Sequence, residues 1–229
     1  MLKYDIILTD LDGTLFDFLA SSGDALDATF RTFGYAFTQA DQSLFFDINE
    51  AMWKDFEVGK IEKSSIYEGR FRKFLDARGW EGDEKALNAC YMPHLQEGHH
   101  LMPGSLELME NLKKKGCTIC AITNGETKTQ LRRIADSGLG AYMDHLFISE
   151  EMGCNKPAKL FFDKVFAVLG DDLRDRAIVL GDSLTSDMQG GRNAGLATCF
   201  LGSADAADDR CDYVISDLSE FPAVIEGEA

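Results

Sequence analysis

The chain reads as an α/β fold, a mostly parallel sheet with helices on both faces and a helical insert after the first strand. Three observations predict this. Six short apolar runs recur along the sequence, several of them closed by turn residues. Segments with helical apolar spacing lie between the later runs. The stretch from position 21 to 100 has no clear strand run and carries helical spacing instead.

The first run is Ile6-Ile7-Leu8, ending in Thr9-Asp10 and followed by a turn at Asp12-Gly13. Within the insert, Leu26, Phe30 and Phe33 have helical spacing, as do Phe71, Phe74 and Leu75. Beyond it, Leu106, Met109 and Leu112 mark a helix that opens at Pro103-Gly104-Ser105. The second strand covers 118–122 and ends in Thr123-Asn124-Gly125. Leu131 and Ile134 mark the next helix, and 145–149 form the third strand. Phe161, Phe162, Val165, Phe166 and Leu169 make a broad apolar stripe ahead of the fourth strand, 177–180, which ends in Gly181-Asp182-Ser183. Strands five and six are 198–201 and 213–215. Apolar strands alternating with helices imply a parallel sheet buried on both faces, with right-handed crossovers. The expected division is a core over 1–20 and 101–229 and a helical domain over 21–100.

The 229 residues suffice for such a core plus a smaller insert. A formal charge of -16 disfavours nucleic-acid polymers and anionic membrane surfaces as partners. It leaves room for a small phosphorylated metabolite, because a bound cation and local donors can reverse the field around a site. The six cysteines are scattered; Cys117 and Cys120 form a C-x-x-C, but it flanks a buried strand and lacks two further zinc ligands at workable spacing. Free thiols, no signal-peptide pattern and no long apolar stretch give a cytoplasmic protein as the expectation.

In an open parallel sheet, ligands bind beyond the carboxyl ends of the strands. That rule selects Asp10 and Asp12 after strand one, Thr123 and Asn124 after strand two, and Asp182 and Asp187 after strand four. Converging carboxylates either rise in pKa or hold a cation, and hard oxygen donors with room for a phosphate suit Mg²⁺. Lys156, in Asn155-Lys156-Pro157, is the candidate cation beside them. Singly, each feature has a bland reading as a turn or helix cap. A D-x-D-G-T match, however, arises by chance on the order of once in 100,000 positions, and three further motifs follow it in order at strand ends or between strands.

With these residues the chain resembles the haloacid-dehalogenase-like (HAD) superfamily of phosphotransferases. The resemblance rests on Asp10-Leu11-Asp12-Gly13-Thr14, Thr123-Asn124-Gly125, Lys156-Pro157 and Gly181-Asp182-Ser183-Leu184-Thr185-Ser186-Asp187. It implies a Rossmann-like core and identifies the insert with the family's first type of cap domain. Wording around the last motif, continuing through Gln189-Gly190-Gly191 and Asn193-Ala194-Gly195, is most similar to the pyrimidine nucleotidase branch.

The resemblance implies a role for each residue. Asp10 is the nucleophile that forms an aspartyl-phosphate. Asp12 is the general acid and base, and its backbone carbonyl binds Mg²⁺. Asp10 and Asp182 ligate the metal, and Asp187 supports it through water or by orienting Lys156. Thr123 and the Asn124 backbone hold phosphoryl oxygens, while Lys156 neutralises charge. Dehalogenase members lack an acid at the position of Asp12, so its presence points to ester hydrolysis. Thr123 stands where many members carry Ser, with the hydroxyl retained.

The function expected is therefore a Mg²⁺-dependent phosphatase of nucleoside monophosphates, a pyrimidine 5'-nucleotidase. The alternatives are a sugar-phosphate phosphatase or phosphomutase of the same superfamily, or a non-catalytic binding protein on the same fold. Met52, Trp53, Phe56 and Tyr67 are candidates either for helical core or for a base pocket, and Phe16, Asp17 and Phe18 for a flap over the site. The adjacent His99 and His100 read as a polar loop near the end of the insert. The oligomeric state stays open, a monomer being compatible.

Overall fold

The computed structural model describes residues 2–228. The chain divides into two compact units, one comprising the residues up to Asp17 and from His100 onward, the other Phe18–His99. In order, β1 (Ile6–Thr9) is followed by α1 (Phe18–Thr32), α2 (Gln39–Glu57), α3 (Ser64–Arg78) and α4 (Glu84–Glu97). Then come α5 (Ser105–Lys114), β2 (Thr118–Thr123), α6 (Thr127–Ser137), β3 (His145–Ile148), α7 (Ser149–Met152) and α8 (Lys159–Leu169). The chain ends with β4 (Ala177–Gly181), α9 (Gln189–Ala194), β5 (Ala197–Leu201), β6 (Tyr213–Ile215) and α10 (Phe221–Glu226).

The larger unit is built on a parallel sheet of order β3-β2-β1-β4-β5-β6. Alternate side chains of each strand enter opposite cores. Ile7, Ile119, Ile178 and Leu180 pack on one face with Met109, Leu112, Phe221 and Val224 from α5 and α10. Ile6, Leu8, Ile122 and Val179 pack on the other with Phe161, Phe162, Val165 and Phe166 of α8. Burial on both faces is why these strands read as unbroken apolar runs. From β1 the sheet grows one way through β2 and β3, then returns to β4 on the other side of β1 and continues to β5 and β6. The order reverses at β1, and that reversal opens the sheet's carboxyl edge to a ligand.

The smaller unit holds four helices around an aromatic core of Phe30, Phe45, Phe71, Phe74 and Tyr91. The Phe30 and Phe37 rings stack with centroids 4.5 Å apart. Arg70 is buried there, its guanidinium 4.7 Å from the Tyr91 ring centroid and bonded to the side-chain oxygens of Asn49 and Asn88. Thr38 caps α2 in a reciprocal pair with Asp41, and Asp83 caps α4.

The structure differs from some sequence expectations. The helical unit opens at Phe18 rather than 21, because Phe18 packs against its aromatic core. In α5 the inward face is Leu108, Met109 and Leu112, and Leu106 is exposed. Phe33 lies beyond the end of α1 and is exposed. Leu131 also points to solvent, while Gln130 and Arg133 of the same helix are buried. Cys117 and Cys120 are buried free thiols, pushed up to about 11 and about 12 by desolvation, consistent with packing roles. No helix among the described residues is long and apolar enough to cross a membrane.

Candidate active site

β1 delivers Asp10 to the middle of the carboxyl edge, where its backbone N–H donates to the Leu180 carbonyl of β4 at 2.8 Å. The chain then turns sharply. The Leu11 carbonyl accepts the backbone N–H groups of Leu15 and Phe16, both at 2.8 Å, and Gly13 donates to the Phe16 carbonyl at 2.9 Å. Gly13 has φ +85°, and a Cβ there would lie 2.2 Å from Asp182 Oδ2, so only glycine lets the turn approach β4 so closely. Thr14 Oγ1 donates to Asp182 Oδ1 at 3.3 Å across the same gap.

Lys156 reaches the site from the loop before α8. Its Nζ donates to Asp10 Oδ1 and Asp187 Oδ1, each at 2.6 Å, and to the Ile122 carbonyl at 2.8 Å. The loop is fixed by Asn124, whose amide donates to the Lys156 carbonyl at 2.9 Å and accepts its N–H at 3.0 Å. The Asn124 side chain thus grips the lysine's backbone. The Lys156-Pro157 peptide is cis. Asp187 comes from a π-helical turn over Leu184–Met188, which Ser183 caps by accepting the Ser186 N–H. Its Oδ2 accepts the Ser183 N–H at 3.2 Å, and a Cβ on Gly181 would meet that oxygen at 2.3 Å. Glycine at the end of β4 is what lets this carboxylate fold back over the strand.

Desolvation is the largest influence on Asp10, Asp182 and Lys156. It raises the Asp10 carboxyl well above the usual carboxylate range, opposed by Lys156 and reinforced by Asp187 and Asp182. Asp182 is pushed up to about 7 by desolvation and then by Asp187. Burial works against the charge on Lys156, but Asp10 and Asp187 outweigh it and hold the ammonium above its ordinary range. One ammonium therefore serves a cluster of three carboxylates. Oxygens of Asp10, Asp182 and Asp187 lie within 4.8 Å of one another, a hard-donor set that fits a divalent cation such as Mg²⁺. Asp12 is not among these clustered carboxylates.

Asp12 is held from α6. Arg133 Nη1 donates to Asp12 Oδ1 at 2.5 Å, and Gln130 Nε2 donates to Asp12 Oδ2 at 2.6 Å. Gln130 Nε2 also lies 3.1 Å from Thr123 Oγ1, which accepts the Gly125 N–H at 3.0 Å. Neither Gln130 nor Arg133 stands out in the sequence, where a glutamine and an arginine on a polar helix read as solvated. Their i, i+3 spacing just after Thr123-Asn124-Gly125 is the signal that places both on one face. The Arg133 guanidinium lies 4.3 Å from the Phe16 ring centroid, and Phe16 is fully buried in the sheet core. Phe16 is thus a packed residue rather than part of a flap. Asp17 donates its N–H to the His100 carbonyl, Met52 is buried within the helical unit, and His99 is exposed with Nδ1 2.7 Å from the Glu97 carbonyl.

A family model described as haloacid dehalogenase-like hydrolase matches residues 4–195. The pyrimidine 5'-nucleotidase PynA of Streptococcus pneumoniae is 36% identical over 197 residues, covering 86% of this chain and 83% of that protein. The pyrimidine 5'-nucleotidase YjjG of Escherichia coli is 35% identical over 202 residues, covering 88% of each. The crystal structure of the putative HAD-hydrolase YfnB of Bacillus subtilis, bound to magnesium, superposes with a TM-score of 0.90 at 33% identity, covering 97% of this chain and 99% of that one.

Proposed function

Because the chain belongs to the haloacid dehalogenase-like hydrolase family, we propose that it hydrolyses phosphomonoesters through Asp10, with pyrimidine nucleoside monophosphates as substrates. The observation that carries the chemistry is the pairing of Asp10 with the buried ammonium of Lys156 at 2.6 Å, two residues before a second carboxylate, Asp12, that faces partly to solvent. The preference for nucleotides rests on the similarity to PynA and YjjG across most of the chain.

In this reading an Asp10 oxygen attacks phosphorus in line with the ester oxygen. The P–O ester bond breaks, and Asp12 gives the departing alkoxide its proton. Asp12, now a carboxylate, takes a proton from the water that attacks the aspartyl-phosphate. Phosphate leaves and Asp10 is restored. Lys156 holds Asp10 in place and offsets charge on the transferring group, while Thr123 and the backbone beside Asn124 supply donors to its oxygens. Asp10, Asp182 and the Asp12 carbonyl, with Asp187 behind them, would hold a Mg²⁺, which would supply positive charge against the phosphoryl oxygens. That YfnB was crystallised bound to magnesium supports the choice of metal.

The test is phosphate release from a panel of nucleotides and sugar phosphates with Mg²⁺, repeated after chelation. Release from pyrimidine 5'-monophosphates that EDTA abolishes is the expected result. Preference for sugar phosphates would replace the substrate assignment, and isomerised product with little free phosphate would make the enzyme a mutase. No turnover of any phosphoester would leave a binding protein.

A further inference from the structure

We infer that Gln130 and Arg133 are positioning residues for Asp12, a clamp that aims the proton donor at the leaving group. The inference rests on the reading of Asp12 as general acid and base. Its own observations are geometric. Each Asp12 oxygen takes a separate donor, Oδ1 from Arg133 and Oδ2 from Gln130. A carboxylate held at both oxygens has its plane fixed and loses the free rotation of an aspartate on a turn.

The clamp itself is anchored. The Arg133 side chain is 1% exposed, whereas that of Asp12 is 29% exposed. The carboxylate is therefore gripped from the protein side and open on the other. Arg133 lies against the Phe16 ring and 3.4 Å from Gln130 Oε1. Gln130 binds Thr123 with the same nitrogen that binds Asp12. One amide thus sets the distance between the proton donor and the hydroxyl assigned to a phosphoryl oxygen. A Cβ on Gly125 would lie 2.2 Å from that nitrogen, so the glycine after Asn124 makes room for the amide.

A fixed carboxylate matters because proton transfer needs hydrogen-bond reach to the ester oxygen as the bond breaks, and about 1 Å of misplacement can cost about 10²-fold. The need depends on the leaving group. A nucleoside alkoxide requires the proton, whereas 4-nitrophenolate departs without it. Water attack on the aspartyl-phosphate requires Asp12 whatever the first product was.

The experiment compares wild type, Gln130→Met, Arg133→Met and Arg133→Lys on uridine 5'-phosphate, or the best alkyl ester of the panel, and on 4-nitrophenyl phosphate. We expect kcat on the alkyl ester to fall about 10²-fold in both Met variants with KM little changed, and Arg133→Lys to recover part of it. On 4-nitrophenyl phosphate we expect a fast first turnover, a burst equal to the enzyme present, followed by a slow steady state. A merely structural role would slow burst and steady state together, and that result would overturn the inference. So would wild-type kcat on the alkyl ester in Gln130→Met, which decides the matter even where Arg133→Met does not fold. If Asp12→Asn kept wild-type turnover, the role of Asp12 itself would fail. If Asp12→Asn is crippled and Gln130→Met is not, only the clamp is lost.

Discussion

α6 and α8 are both eleven-residue helices, and each buries its third, fourth, seventh and eighth positions. In α8 those positions are Phe161, Phe162, Val165 and Phe166; in α6 they are Thr129, Gln130, Arg133 and Ile134. The geometry is the same and the chemistry is opposite. α8 covers the sheet with hydrocarbon and contributes stability through burial. α6 turns three polar side chains inward, where removal from water is offset by partners that include Asp12, Thr123, Glu126 and the Phe16 ring. Identical helical placement thus yields a packing element in one case and a supporting element of the site in the other.

The contrast can be broken from either side. The largest effect is expected at the edge that α6 serves: Asp10→Asn should lower phosphoester turnover by at least about 10³-fold while the melting temperature changes little. Full activity in that variant would remove the nucleophile and, with it, the reason for a polar inward face. On the packing side, Phe162→Ala in α8 should cost about 3–5 kcal/mol of stability, read as a lower denaturation midpoint, with the folded fraction retaining its kcat. A large kcat loss without loss of stability would make α8 part of the site.

A third effect concerns the cation. Asp182 is raised from the ordinary 3.8 to about 7. The folded chain then keeps a proton that the unfolded chain has released, so this group's contribution to stability is full below about pH 4 and drains away as pH rises to about 7. A bound cation needs the carboxylate charged. Mg²⁺ should therefore raise the melting temperature more at about pH 8 than at about pH 5, and equal shifts would detach Asp182 from the metal. The smallest effect is expected at Leu131, 42% exposed on the outer face of α6. Leu131→Lys should change stability by less than about 0.5 kcal/mol.

The two helices also mark where the sequence is legible. Phe161 to Phe166 announce an inward face because apolar residues at helical spacing have one economical place to go. In α6 the same logic selects Leu131, which is outside, and passes over Gln130 and Arg133, whose burial depends on Asp12, 118 and 121 positions away. The strand-end residues are legible because a parallel sheet presents whatever follows its strands. Gly13 and Gly181 belong to the motifs, but their steric reason appears only when Asp182 and Asp187 are seen against them. The side-chain role of Asn124 is hidden for the same reason: a motif position suggests its backbone faces phosphate, whereas its grip on Lys156 spans 32 residues.

Asp17 and His100 hold a further consequence. The Asp17 N–H donates to the His100 carbonyl at 3.0 Å, and Phe16 pairs with Leu101 in the bridge just below. The sheet unit thus zips together the two points between which the whole of Phe18–His99 departs and returns. A segment whose ends are already joined by the body it leaves can be lengthened, shortened or replaced at an entropic cost that grows only with the logarithm of its length. The segment beyond the zipper can thus be exchanged without moving the strand ends that carry Asp10 and Asp182.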